Sequence, residues 1–100
     1  MIRFVRSAKV SRGKLPEAIK WAKEVAEYIN TKDPVPTIRV YAGLFGDVNT
    51  IFWEAEHKDL ASVEAALGKL TADPGYWTAV RKSGELIVDG SVRDSVMGSV

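Results

Sequence analysis

The 100-residue chain contains no cysteine and a single histidine, His57. The lack of cysteine excludes disulfides, thiolate nucleophiles, iron–sulfur clusters and cysteine-ligated zinc. One histidine leaves little other metal chemistry, and no H-x-x-x-H spacing is present, so we expect neither a metal ion nor a cofactor. A chain without cysteine suits a reducing compartment, and we expect a cytoplasmic protein.

The chain also lacks an excess of one charge and any long hydrophobic run. Fourteen basic and 13 acidic residues give a formal net charge of +1, whereas nucleic-acid binders usually show a clustered basic excess. No apolar run approaches the roughly 20 residues of a transmembrane helix, and no signal-peptide core is found. We therefore expect no nucleic-acid partner and no membrane partner.

What is present is the composition of an ordinary globular protein. Hydrophobic residues make up 46% of the chain and charged residues 27%. At this length we expect a single domain that covers residues 1–100 and has one modest core.

The apolar residues follow two periods along the chain. Alternation with a period of two predicts strands at residues 2–10, 37–45, 50–56 and 91–97. Spacings of three and four residues predict helices at 15–31 and 60–70, and a shorter helix at 74–82. Pro16 and Pro74 occupy first-turn positions, and Asp59 and Asp73 are suited to cap the second and third helices. A four-residue loop, 46–49, would join the second and third strands.

The order of these elements predicts an α+β fold. Strand, helix, hairpin, helix pair and strand form the βαββαβ arrangement of the ferredoxin-like fold, which has a four-stranded antiparallel sheet with helices on one face.

The opposite face of this sheet should be polar in an isolated monomer, but it is not. Val5, Tyr41, Phe45 and Phe52 alternate with the residues assigned to the helix-facing side. Covering several such side chains would contribute several kcal/mol at about 25 cal/mol per Å². We therefore expect a homodimer in which two sheets pack face to face about a twofold axis, forming a dimeric α/β barrel.

Two short segments add a family resemblance to this layout. The third helix begins with residues 73–77 (DPGYW), and the last strand is entered through residues 90–94 (GSVRD). With the element order, they resemble the dimeric α/β-barrel superfamily, most of all the NIPSNAP-like group, with antibiotic-biosynthesis-type monooxygenases as cousins. The resemblance implies a barrel of two subunits and, as in many relatives, a pocket between each sheet and its helices. It implies little about the reaction, because the superfamily supports several chemistries.

Histidine is the one residue type whose ordinary pKa lies near neutrality, and the single histidine, His57, lies between the third strand and the second helix. As a catalytic base it would need a substrate proton within about 3 Å. The alternative is a solvated or hydrogen-bonded structural histidine. In related haem-degrading enzymes a histidine in the later helical region binds iron, but residues 73–80 contain none, so that role is not implied here.

Aromatic side chains are numerous enough to line a flat apolar cavity. Trp53, Tyr76 and Trp77 are the best candidates, because a central strand would carry the first and the short covering helix the other two. Arg39 and Tyr41 share one face of the second strand, and Arg39 could anchor an anion. The alternatives are that the aromatics fill the core or the dimer interface, and that Arg39 pairs with a glutamate, Glu54 or Glu56, across the subunits.

Two functions fit these residues. The first is a homodimeric protein that binds a small apolar or aromatic metabolite and acts as a cofactor-independent monooxygenase or isomerase. The second is a non-catalytic binding or assembly module of the NIPSNAP-like type. The residues leave open which of the two applies and which ligand is bound.

Overall fold

The structure is a computed structural model that describes all residues from Met1 to Val100. It contains four strands and three helices in the predicted order. The strands are β1 (Ile2–Lys9), β2 (Arg39–Ala42), β3 (Thr50–His57) and β4 (Arg93–Gly98), and the helices are α1 (Leu15–Lys32), α2 (Leu60–Thr71) and α3 (Pro74–Arg81). No helix is both long and apolar enough to cross a membrane.

The strands form one antiparallel sheet in the order β2-β3-β1-β4. In the central strand β1, Phe4 lies opposite Ala55 of β3 and Val96 of β4, and Ala8 lies opposite Ile51. Side chains of alternate residues point to opposite faces, so these residues share the helix-facing side. The predicted α+β ferredoxin-like fold is therefore confirmed.

Helix α1 provides most of the buried helical surface. Pro16 lies in its first turn, where a missing N–H costs nothing, and Glu17 lies near the positive end of the helix dipole. The helix ends at Lys32, and its C-cap residue Asp33 lies directly before Pro34. Its buried stripe packs against the sheet and against α3. The buried residues are Ala18, Trp21, Ala22, Val25 and Ala26.

Helix α2 packs less deeply than its apolar stripe predicts. Only Val63 is buried, and Leu60 at the start of the stripe is exposed. Leu67 and Leu70 instead border a cavity between the helices and the sheet. The stripe of α2 thus forms part of a cavity wall rather than a closely packed core layer.

Strand β2 is shorter than predicted, because its pairing with β3 ends at Ala42 and not at Phe45. The loop to β3 therefore covers residues 43–49 rather than 46–49. Gly46 and Asn49 adopt positive φ, and a Cβ on Gly43 would overlap the carbonyl oxygen of Asp47, so the chain turns back tightly here. Phe45 is 92% exposed as a result and does not belong to the sheet. The remaining element boundaries lie within two residues of those predicted.

Candidate functional site: a cavity between the sheet and the helices

A cavity of about 350 Å³ lies between the helix-facing side of the sheet and the three helices. Of its 17 lining residues, 15 are hydrophobic. We call it the aromatic cavity, because Trp21, Trp53, Tyr76 and Trp77 all line it. It is the pocket between sheet and helices that the family resemblance implies.

Hydrogen bonds hold the tryptophan rings of the inner wall in place. The indole N–H of Trp53 on β3 donates to the carbonyl oxygen of Ala22 at 3.1 Å, and that of Trp21 on α1 donates to Ala79 at 3.0 Å. The two rings meet edge to face, with their centroids 5.5 Å apart. Because both N–H groups are already bonded to helix carbonyls, this wall offers only apolar surface.

Helix α3 supplies two aromatic residues of the cavity wall, Tyr76 and Trp77, of which Trp77 lies nearest the opening. Asp73 caps the helix by accepting from the Gly75 N–H at 2.9 Å, as its position before Pro74 predicts. Trp77 donates its indole N–H to Thr71 at 3.0 Å and is 39% exposed. Val92 also lines the cavity and is exposed. The cavity therefore opens beside Trp77 and Val92.

Arg6 is the only charged residue that lines the aromatic cavity. Its Nε and Nη2 donate to the two carboxylate oxygens of Asp94 on β4, at 2.7 and 2.8 Å, and its Nη1 donates to the Tyr76 hydroxyl at 3.0 Å. The hydrogen bonds to Asp94 raise the pKa of Arg6 above its ordinary value; burial acts in the opposite direction, and Tyr76 adds to the increase.

Arg6 is not among the ligand-binding residues predicted from the sequence, although the alternation in β1 indicates its position. Strict alternation in β1 places Arg6 between Phe4 and Ala8 on the helix-facing side. A charged side chain on an apolar strand face requires a partner. That requirement is met by Asp94, which lies directly opposite Arg6 in the register.

Arg39 and Tyr41 do not line the aromatic cavity. Both lie on the outer face of the sheet, the side away from the helices, and both are exposed. Arg39 lies opposite Glu54 in the register, but Arg3 forms the ion pairs with Glu54 and Glu56, each at 3.3 Å. The structure therefore brings Trp53, Tyr76 and Trp77 together and places Arg39 and Tyr41 on the other side of the sheet.

His57 lies in a second cavity, of about 300 Å³, which Lys32, Lys69 and Asp73 also line. His57 is buried, with only 5% of its surface exposed, and its Nδ1 lies 2.9 Å from the Ser62 hydroxyl oxygen. Three apolar residues line both cavities and so form a shared wall between them. They are Ile29, Ile38 and Leu70.

No group of three or more His, Asp or Glu side chains is arranged to hold a metal ion. The donors around the aromatic cavity are instead engaged with one another, as Arg6 is with Asp94 and Tyr76.

The fold is shared with NIPSNAP family proteins. A NIPSNAP domain protein from Burkholderia xenovorans superposes with a TM-score of 0.81 at 18% identity, covering 100% of this chain and 95% of its own. A NIPSNAP family protein from Agrobacterium tumefaciens gives 0.79 at 18% identity, covering 99% and 92%. An antibiotic biosynthesis monooxygenase gives 0.68 at 11% identity, covering 100% and 99%.

No family model matches the chain, and no curated protein matches it in sequence. The resemblance to NIPSNAP-like proteins and their monooxygenase cousins is thus confirmed as a likeness of fold. Because one fold supports many functions, the function has to be inferred from the residues of the site and not from the fold.

Proposed function

We propose that this protein binds a small, largely apolar molecule in the aromatic cavity. The observation that carries the proposal is the lining: 15 of 17 residues are hydrophobic, and they surround about 350 Å³. Pockets for small molecules usually have volumes of roughly 300–1,000 Å³ and combine apolar walls with a few polar groups. Arg6 and Tyr76 are such groups here.

The arrangement of the walls favours a flat ligand. The edge-to-face rings of Trp21 and Trp53 lie on the inner side, and Trp77 lies at the opening. Aromatic rings in such positions pack well against planar molecules. The ligand would enter beside Trp77 and lie over the central strands of the sheet.

Cofactor-independent oxygenation and isomerisation remain the proposed reaction classes, since both act on a substrate that a cavity encloses away from water. His57 would take part as a base only if the substrate extended past the wall of Ile29, Ile38 and Leu70 into the second cavity. Simple binding without a reaction is the second candidate. It is favoured by the engagement of His57 with Ser62.

A cavity-filling substitution tests the binding site. Leu67→Trp adds volume to a residue of α2 that lines the aromatic cavity, whereas Leu60→Trp changes an exposed residue of the same helix outside it. With 2-isopropenylnaphthalene as the ligand in equilibrium dialysis, we expect the first variant to weaken binding by about tenfold or more and the second to leave it unchanged.

Two results would contradict the proposal. One is that the unsubstituted protein binds neither 2-isopropenylnaphthalene nor the ketone of the same shape, 2-acetylnaphthalene. The other is that a folded Leu67→Trp variant, checked by circular dichroism, binds it as tightly as the Leu60→Trp control.

We also propose that the protein is a homodimer formed through the outer face of the sheet. Val5 and Phe52 lie on this face and are only half-buried, and Tyr41 and Met97 beside them are exposed. A second copy of the chain, related by a twofold axis, would pack the same face against this one and cover both. In such a dimer, Arg39 would be available to pair across the interface with a glutamate of the other copy.

A further inference from the structure

The polar groups around the aromatic cavity are few, and most are already used. The indole N–H groups of Trp21, Trp53 and Trp77 all donate to main-chain carbonyls. The lining residues that remain with polar side chains are Arg6, Tyr76 and Ser83. Of these three, Arg6 and Tyr76 are joined by a hydrogen bond of 3.0 Å and act as one polar group.

Arg6 and Tyr76 form a pair of donors at the sheet side of the cavity. A guanidinium carries five N–H groups and accepts no hydrogen bond. Three of the five are used, two on Asp94 and one on the Tyr76 hydroxyl oxygen. The Tyr76 hydroxyl accepts from Arg6, so its own proton is free to be donated to another oxygen.

The Tyr76 hydroxyl is well placed to act as this donor. Tyr76 is only 7% exposed, so little water competes for its proton. A hydroxyl that accepts from a cationic guanidinium is polarised and becomes a stronger donor in turn. The ring is fixed by α3 and by its edge contact with Trp77, with centroids 5.3 Å apart.

Asp94 determines which acceptor suits these donors. Its carboxylate is bound by two nitrogens of Arg6, so the charges of the pair balance. A neutral acceptor oxygen can bind the remaining protons without disturbing this pair. An anionic ligand would lose its hydration, and its attraction to Arg6 would be offset by repulsion from the Asp94 carboxylate.

We propose that the aromatic cavity selects an uncharged, largely apolar ligand that carries a hydrogen-bond-acceptor oxygen, such as a ketone, an aldehyde or an ester. The oxygen accepts from the Tyr76 hydroxyl, which Arg6 orients, and the apolar body of the ligand lies against the tryptophans. This inference rests on the proposed function and specifies its ligand class.

The test compares two ligands of nearly the same shape. In 2-acetylnaphthalene the side group carries a carbonyl oxygen, and in 2-isopropenylnaphthalene a CH₂ group replaces that oxygen. The ratio of their dissociation constants is measured by equilibrium dialysis for the unsubstituted protein and for Tyr76→Phe. The difference in hydration of the ligands is common to both proteins, so the change in ratio isolates the hydroxyl's hydrogen bond.

We expect Tyr76→Phe to reduce the relative affinity for the ketone by about three- to tenfold, the size of one hydrogen bond, and to leave hydrocarbon binding unchanged. Tyr41→Phe on the outer face is the matched control and should leave the ratio unchanged. Hydrocarbon binding with an unchanged ratio in Tyr76→Phe overturns this inference alone. Failure of both ligands to bind overturns the proposed function as well.

A second variant tests the role of charge balance without altering Tyr76. Asp94→Asn leaves the positive charge of Arg6 unbalanced, and Asp94 is partly exposed, so the substitution is easily accommodated. We expect the affinity for 2-naphthoate, relative to 2-acetylnaphthalene, to rise by about threefold or more. An unchanged relative affinity, or a preference of the unsubstituted protein for 2-naphthoate, would overturn the claim that the ligand is uncharged.

Discussion

Asp73 shows how much of the site depends on single side chains. Its carboxylate accepts from the Gly75 N–H at 2.9 Å and from the Tyr28 hydroxyl, which lies 3.0 Å from both of its oxygens. The first bond begins α3, and the second ties that start to α1. Asp73 therefore sets where Tyr76 and Trp77 enter the aromatic cavity.

The acid dependence of stability should reveal this role. Partial desolvation raises the pKa of Asp73, but the hydrogen bonds from Tyr28 and Gly75 outweigh it, and the pKa lies below its ordinary value of 3.8. A carboxyl with a lowered pKa in the folded state contributes stability above the unfolded-state value and loses it as the pH falls through the folded-state value.

We therefore expect Asp73→Asn to lower the free energy of unfolding at neutral pH and the difference from the unsubstituted protein to shrink as the pH falls below 3.8. Urea denaturation across this range measures the effect. Asp89→Asn, at an exposed residue, is the control and should be close to neutral. A difference for Asp73→Asn that does not change with pH would contradict the assignment.

Gly75 has a steric role beside Asp73. A Cβ at this position would overlap the Tyr28 hydroxyl and lie 3.3 Å from Asp73 Oδ1. We expect Gly75→Ala to destabilise the protein by about 1–3 kcal/mol, because the added Cβ would displace the Tyr28 hydroxyl, which links α1 to the start of α3. Thermal and urea unfolding provide the measurement.

Gly68 is the matched control within α2. A Cβ there meets no atom within 4 Å, so Gly68→Ala should stabilise the protein by up to about 1 kcal/mol through helix propensity. Equal effects of the two substitutions would show that the contact with Tyr28 is unimportant.

At the scale of elements, α3 illustrates what local sequence can and cannot predict. Asp73 before Pro74 is a local start signal, and the helix begins where it indicates. An eight-residue helix is too short to be stable alone, so its place depends on tertiary bonds. The bonds from Arg6 and to Thr71 fix its aromatic residues, and neither follows from the local pattern.

Strand β2 shows the opposite case, in which a local pattern extends beyond the element. Alternation continues from Thr37 to Phe45, but pairing with β3 covers only Arg39–Ala42. Pairing with β3 ends at Ala42, because the chain turns back tightly through Gly43 and Gly46. The prediction of a longer strand was wrong for this reason.

At the scale of the whole molecule, the proposed dimer predicts a particle mass in solution that can be measured. We expect sedimentation equilibrium at micromolar concentration to give twice the chain mass of 11.0 kDa. Phe52→Glu places a charge on the outer face and should shift the protein towards monomers, because a buried unpaired charge is costly. Lys20→Glu on the exposed side of α1 should leave the mass unchanged.

An 11.0 kDa species for the unsubstituted protein would rule out the dimer. A Phe52→Glu variant that remains dimeric would show that the interface is not the outer face. The second result would leave the aromatic cavity unaffected, because that cavity lies on the other side of the sheet.

The sequence by itself determined the order of the elements, the helix starts and the ferredoxin-like fold, because periodicity and capping are local properties of the chain. It also identified Trp53, Tyr76 and Trp77 as residues that could share a cavity. Only the tertiary structure decided which of the candidate residues line that cavity. Arg6 lines it with Asp94 as its partner, while Arg39 lies on the outer face, since strand pairing and helix packing join residues far apart in sequence.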